Sequence, residues 1–175
     1  MILIVDVNSK KLGYYEFVLP LCDIVGAITE YDIVHYTNIC DIHGYEKIIV
    51  SGTPLMDNTY ISNIKEFEWI KTCNKPVLGI CAGMQVIGLV FGSLLIECKE
   101  IGMTKVEPVK DNILFSSDFM AYELHKYGIN PCKDFEVLAQ SKKCIQGIKH
   151  KKKDIYGILF HPEVRNKEII NKFIC

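Results

Sequence analysis

The sequence has no long hydrophobic run. Its opening, MILIVDVNSKK, holds four apolar residues, Ile2 to Val5, before Asp6, with no basic stretch ahead of them and no small-residue cleavage site after them. A membrane-spanning helix needs about 20 predominantly apolar residues, so neither a span nor a signal peptide is expected here. Charge of one sign is missing as well. Twenty Lys and Arg stand against 21 Asp and Glu, a formal net charge of -1, and this leaves no electrostatic footprint for nucleic acid or a membrane surface.

Paired cysteines are also lacking. The eight cysteines, at 22, 40, 73, 81, 98, 132, 144 and 175, never fall two or three residues apart, so the ligand spacing of a zinc site is absent and no metal is expected. With no secretory signal, reduced thiols in a cytoplasmic protein are the expectation, most of them acting as small core hydrophobes. There is no repeat, low-complexity segment, linker or Gly-x-x-x-x-Gly-Lys-Ser/Thr phosphate loop. At 175 residues, 49% hydrophobic and 23% charged, the chain reads as one domain, 1–175, large enough to bury its own core.

What is present is an alternation of two textures. Near-continuous apolar runs at 2–5 (ILIV), 47–50 (KIIV) and 77–80 (VLGI), with DIVHY at 32–36, suit strands buried on both faces of a parallel sheet. Between them, 12–27 (interrupted by Pro20) and 61–72 carry helical spacing. The order βαββαβα predicts an open, mostly parallel α/β sheet with helices on both faces. After Gly92 come short β-rich pieces at 94–98, 105–109, 135–139, 144–149 and 155–160, and then a closing helix at 166–174. These pieces predict an added antiparallel section beside the parallel sheet.

One stretch, Gly79-Ile80-Cys81-Ala82-Gly83, sits where a strand gives way to a helix. In open α/β sheets, ligands bind at the carboxyl ends of strands. A sharp strand-to-helix elbow holds its central residue in a strained conformation and needs small residues two before and two after it, which Gly79 and Gly83 supply. The helix N-terminus there favours a thiolate. A simple packing turn around a buried cysteine has the same five residues, so a base must be found. Of the histidines at 35, 43, 125, 150 and 161, His161 follows the run IYGILF and precedes Pro162-Glu163. A carboxylate two residues on can orient one face of an imidazole while the other faces a thiol.

GICAGMQ at 79–85 together with FHPEV at 160–164 resembles the class I, triad-type glutamine amidotransferases over nearly the whole chain. The resemblance implies a flavodoxin-like fold and a Cys-His-Glu triad. Cys81 would be the nucleophile that forms a glutamyl thioester, His161 the base and Glu163 its orienting carboxylate. It implies an oxyanion hole from the N–H of Ala82 and from a Gly-Gly-Pro loop that aligns with Ser51-Gly52-Thr53-Pro54. Thr53 stands at the second glycine, and a β-branched residue resists a positive φ if one is required there. Gln85 matches a position that contacts substrate glutamine. The segment that binds the substrate's amino-acid end aligns with Glu123-Leu124-His125-Lys126-Tyr127, where Leu124 replaces a serine and Tyr127 an aspartate.

Within the family, 139–164 and the methionine of CAGMQ are most similar to the free-standing glutaminase subunits of GMP synthase. Subunits of anthranilate, aminodeoxychorismate and carbamoyl-phosphate synthases are the other candidates. The resemblance implies L-glutamine as substrate, no cofactor in this chain, and a separate ATP-pyrophosphatase partner that holds ATP and Mg and aminates xanthosine monophosphate. The run Lys149-His150-Lys151-Lys152-Lys153 is the one candidate docking feature, and its simpler reading is a solvated hairpin turn. Two other classes stay open: a free-standing thiol hydrolase of the γ-glutamyl hydrolase type, and a regulatory homologue whose glutamine pocket has drifted.

Overall fold

The computed structural model describes all residues, 1–175. β1 (Ile2–Asp6), β2 (Tyr31–His35), β3 (Lys47–Val50) and β4 (Val77–Ile80) pair in parallel. Their alternation shows why the runs are apolar throughout. Ile2 and Ile4 of β1 enter one hydrophobic cluster, while Leu3 and Val5 enter a second on the opposite face of the sheet. One face is covered by a helical segment built of α1 (Lys11–Gly13), a π-helical turn (Tyr14–Val18) and α2 (Leu19–Gly26). Pro20 does not break this segment. The wide turn, with the Leu19 N–H donating to the Tyr14 carbonyl, absorbs the proline before it enters the first turn of α2.

The opposite face carries α3 (Thr59–Ser62), α4 (Trp69–Thr72) and α5 (Ala82–Val90). The helix expected over 61–72 is thus corrected to short pieces, with a 3-10 turn at Ile64–Phe67 between α3 and α4. The second half holds β5 (Leu94–Pro108), β6 (Phe119–Asn130), β7 (Phe135–Gln140), β8 (Ile145–His150) and β9 (Ile155–Ile158), and α6 (Glu168–Ile174) closes the chain.

All nine strands form one sheet in the order β2-β1-β3-β4-β9-β8-β7-β5-β6. β9 is the junction, parallel to β4 and antiparallel to β8. The α/β class with an added antiparallel section is therefore the observed fold. Two details differ from expectation. The pieces at 94–98 and 105–109 are one bulged strand, β5, and β6 is a strand that the hydrophobic pattern does not predict. Its inward positions are Ala121, Glu123 and His125, so polar residues occupy the face that a hydrophobicity pattern would assign to solvent.

The expectation of eight reduced thiols is also corrected. Cys98, in the bulge of β5, is disulfide-bonded to Cys144 at the start of β8, with a Cα–Cα distance of 6.0 Å. The other six cysteines are free. No helix is long and apolar enough to cross a membrane.

Candidate active site

The carboxyl ends of β1, β3, β4 and β9 deliver the loops that make the site. Cys81 stands between β4 and α5 with φ 49 and ψ -102, a positive φ that it shares with only one other non-glycine residue, Asn166. Such a conformation costs on the order of 1–3 kcal/mol and persists only where the surroundings impose it. They do so through the two glycines. A Cβ on Gly79 would lie 2.4 Å from the Gly83 carbonyl oxygen, and one on Gly83 would lie 2.4 Å from the Val50 carbonyl oxygen. The elbow is thus wedged between its own helix and β3, with the Cys81 N–H bonded to the Ile158 carbonyl of β9 at 2.8 Å.

His161 and Glu163 are brought to this elbow by the turn after β9. His161 Nδ1 and Glu163 Oε1 are 2.7 Å apart, and both side chains are fully buried. The His161 N–H is anchored to the Tyr122 carbonyl of β6, and the ring packs on Phe17. Burial by itself would push the imidazole pKa down, but the neighbouring Cys81 and Glu163 hold it well above the usual histidine value. His161 Nε2 has no hydrogen-bond partner within the protein, and the nearest acceptor of the thiol is the Leu124 carbonyl at 3.9 Å. The structure therefore assembles Cys81, His161 and Glu163 with the second nitrogen of the imidazole free.

The loop after β3 lies against both side chains. A Cβ on Gly52 would approach His161 Cε1 to 2.7 Å and Cys81 Cβ to 3.5 Å, so only glycine fits. The N–H groups of Gly52 and Thr53 donate to nothing within the protein. The peptide joining them is fixed from behind, because its carbonyl accepts from Asn8 Nδ2 and from Ser51 Oγ, each at 3.2 Å. In a trans peptide this aims the Thr53 N–H the opposite way. Neither residue has a positive φ, so the conformational objection to Thr53 does not arise. Its hydroxyl donates to the Asp57 carbonyl at 3.0 Å, bracing the loop.

Thr53, Cys81, Gln85, Leu124 and Tyr127 line one small pocket, together with Tyr60 and His125. Gln85 is buried and committed at both ends. Its Oε1 accepts from the Tyr60 hydroxyl, and its Nε2 donates to the Tyr127 carbonyl at 2.8 Å. Burial pushes the Tyr60 phenol pKa far up, which keeps it a donor. At Leu124 and Tyr127 it is the backbone carbonyls that meet Cys81 and Gln85, so these contacts survive the two side-chain departures. The free space within is about 10 Å³, room for one water molecule. Larger clefts, such as the one along Gly26 to Asp32, lie away from these residues.

Two clusters lie outside the predicted site. The lysine run forms the β8–β9 turn, where the N–H groups of Lys152 and Lys153 donate to His150 Nδ1, and the Lys151 and Lys153 ammonium groups are tied to the carbonyls of Lys133 and Cys73. Glu100, His125 and Cys144 meet in the interior of the antiparallel section, their ligand atoms all within 4.8 Å of one another. Separations of 25 and 19 residues along the chain hide this group from any reading by local spacing.

A parallel sheet ending in a cysteine elbow, backed by a buried His-Glu pair, defines a thiol enzyme of the amidotransferase type. Residues 22–174 match the class-I glutamine amidotransferase family, and the chain belongs to it. The glutamine-hydrolysing subunit of GMP synthase from Methanocaldococcus jannaschii is 35% identical over 150 residues, covering 73% of this chain and 80% of the relative. That of Thermoplasma acidophilum is 34% identical over 146 residues, covering 77% and 73%. A crystal structure of a T. acidophilum protein assigned to the same GMP synthase component superposes with a TM-score of 0.87 at 28% identity, over 99% of this chain and 92% of that one. A glutamine amidotransferase of Thermotoga maritima shares the fold, with a TM-score of 0.72 at 20% identity over 99% and 80%.

Proposed function

We propose that this chain is the glutaminase component of a GMP synthase, hydrolysing L-glutamine and passing ammonia to a separate synthetase chain. The observation that carries the chemistry is the buried 2.7 Å His161–Glu163 pair set beside a cysteine on a strained elbow. The Cys81 thiol gives its proton to His161 and its sulfur attacks the side-chain amide carbon. The oxyanion is met by the N–H groups of Ala82 and of the Gly52–Thr53 loop, donors whose loss typically costs about 10²–10³ in rate. His161 returns the proton to the leaving nitrogen, ammonia departs, and a glutamyl thioester remains. Water then attacks the thioester, His161 takes its proton, and glutamate leaves as the thiol re-forms.

The relatives named as glutamine-hydrolysing components of GMP synthase support xanthosine monophosphate as the final acceptor, on a partner that binds ATP and Mg. The near-closed pocket supports an enzyme that opens to glutamine only when docked. A docking face is available where β5 and β6 present Ile101, Met103 and Met120 outward, each at least 42% exposed. In the strand register, Ile101 lies opposite Leu124 of the pocket wall and Met103 opposite Tyr122. This face therefore runs into the site, whereas the lysines of the β8–β9 turn are already engaged.

The test is ammonia release from glutamine with and without the ATP-pyrophosphatase chain of a GMP synthase, alongside Cys81→Ala. Release should depend on the partner and vanish in the variant. Equal rates with and without it would sink the reading as a synthetase component.

A further inference from the structure

We propose that Glu100, His125 and Cys144 are the ligands of a zinc site that becomes available when the Cys98–Cys144 disulfide is reduced. Glu100 on β5 and His125 on β6 are register partners, and Cys144 approaches from the turn before β8. Five of the ten buried side-chain polar atoms that lack any hydrogen-bond partner in the protein are concentrated here. They are both nitrogens of His125, both oxygens of Glu123 and Oε1 of Gln146. His125 is 2% exposed and Glu123 0%.

A proton-linked Glu-His-Glu triad is the simpler reading of these residues, and the geometry argues against it. His125 Nε2 lies 3.1 Å from Glu123 Oε2 and 3.8 Å from Glu100 Oε2, yet neither approach is aligned for a hydrogen bond. A metal ion satisfies an imidazole nitrogen and carboxylate oxygens without an N–H···O line. The Glu100 carboxylate is already oriented, accepting from Ser141 Oγ at 2.9 and 3.0 Å and from Gln146 Nε2 at 2.7 Å, which is the outer-shell support that ligating carboxylates have. Glu123 supplies a buried negative charge beside the imidazole. A mixed nitrogen, oxygen and thiolate set selects zinc over the harder Mg and Ca.

Cys144 is bonded to Cys98 in the structure, and a disulfide sulfur does not serve as the thiolate ligand zinc requires. A dithiol reductant passes two electrons and two protons to that bond, giving two thiols while closing to its own disulfide. Zinc then displaces the Cys144 thiol proton. The bound ion would pin β6 to β5 and β8 one residue from Leu124, whose carbonyl faces the nucleophile.

The experiment loads the full chain with zinc chloride, with and without a phosphine reductant, and counts retained metal by mass spectrometry after desalting. Cobalt chloride in parallel reports a thiolate-to-metal charge-transfer band. Reduced wild type should retain about one zinc per chain, and the oxidised chain and Cys144→Ser should bind at least about tenfold more weakly. Cys98→Ser should hold zinc even without reductant, since it frees Cys144 and removes no ligand. Cys81→Ala should hold it under reduction like wild type. Circular dichroism checks folding, and Glu100→Gln replaces Cys144→Ser if that variant does not fold. The proposal is overturned by a metal-free reduced wild type, by full retention in a folded ligand variant, or by loss in Cys81→Ala, which would place the zinc on the nucleophile.

Discussion

The molecule buries two pairs of the same composition, His161 with Glu163 and His125 with Glu123, each with one residue between its members and a cysteine nearby. They differ in the backbone that carries them. The first lies in a turn beyond β9, where the chain bends around Pro162 and brings Nδ1 to within 2.7 Å of the carboxylate in hydrogen-bonding alignment. The second lies inside β6, where side chains two residues apart stand parallel and approach without aligning. The turn yields an oriented base, and the strand leaves a cluster of unpartnered ligand atoms. Residue type alone does not tell the two apart.

Exchanging carboxylate for amide in each pair is the strongest way to break this comparison. Glu163→Gln is expected to lower glutamine turnover by about 10³–10⁴-fold, the scale seen when a triad carboxylate loses its charge. Glu123→Gln should lower it by less than about tenfold, because no group in contact with substrate is removed. Turnover measured with the synthetase present decides it, and comparable losses would show that the pair in β6 belongs to the chemistry.

The first pair also predicts a pH dependence. The folded pKa of His161 lies above its unfolded value near 6.5, so the native state holds this proton more tightly. That contribution to stability is fully present below about pH 6.5 and is lost as pH rises through the folded pKa. Glu163→Gln removes one of the two charges that hold the pKa up. The melting-temperature gap between wild type and Glu163→Gln should therefore be widest near pH 6 and narrow as the solution becomes alkaline. A gap that widens with pH would contradict the assignment of Glu163 as the charge behind the imidazole.

The same contrast explains what is legible in the sequence. In the parallel half, pattern and structure coincide, because strands buried on both faces must be apolar throughout, and the elbow and the His-Pro-Glu turn are local motifs. The order of strands and the residues Cys81, His161 and Glu163 can therefore be placed. In the antiparallel half, β6 turns Glu123 and His125 inward while Met120 stays 42% exposed. Its alternation is inverted, and the pattern hides the strand. The Cys98–Cys144 bond and the Glu100 cluster depend on pairing across β5, β6 and β8, which no local spacing records. The roles of Leu124 and Tyr127 are hidden for another reason, since their backbone carbonyls rather than their side chains make the contacts.

The elbow offers a smaller and purely mechanical test. Gly83→Ala places a methyl 2.4 Å from the Val50 carbonyl oxygen, a backbone atom of a central strand that cannot swing aside. The expected loss is about 3 kcal/mol, or roughly 6–12 °C in melting temperature for a chain of this size. A variant that melts like wild type would show that β3 and α5 are less tightly packed than the strained φ of Cys81 requires. Smaller still is Asn8→Ala, which removes one of the two hydrogen bonds holding the Gly52 carbonyl. It should lower kcat about tenfold and change KM by less than about twofold, since it loosens an oxyanion donor without touching the bound substrate.

The smallest effect is expected where the family pattern suggested the largest. Thr53 occupies a position at which the resemblance calls for glycine, and a positive φ there would make the threonine an obstacle. The backbone does not adopt one. Thr53→Gly therefore relieves no strain. It deletes the hydroxyl bond to the Asp57 carbonyl and adds freedom to the unfolded chain, a combined cost of about 1–2 kcal/mol in stability. The N–H that would face the oxyanion remains, its peptide still held from behind by Asn8 and Ser51, so kcat should stay within about threefold of wild type. A tenfold rise would instead mean that threonine restrains a loop which must turn over during the reaction. The drift at this position would then have weakened the parallel half of the site, the half whose sequence looks most intact.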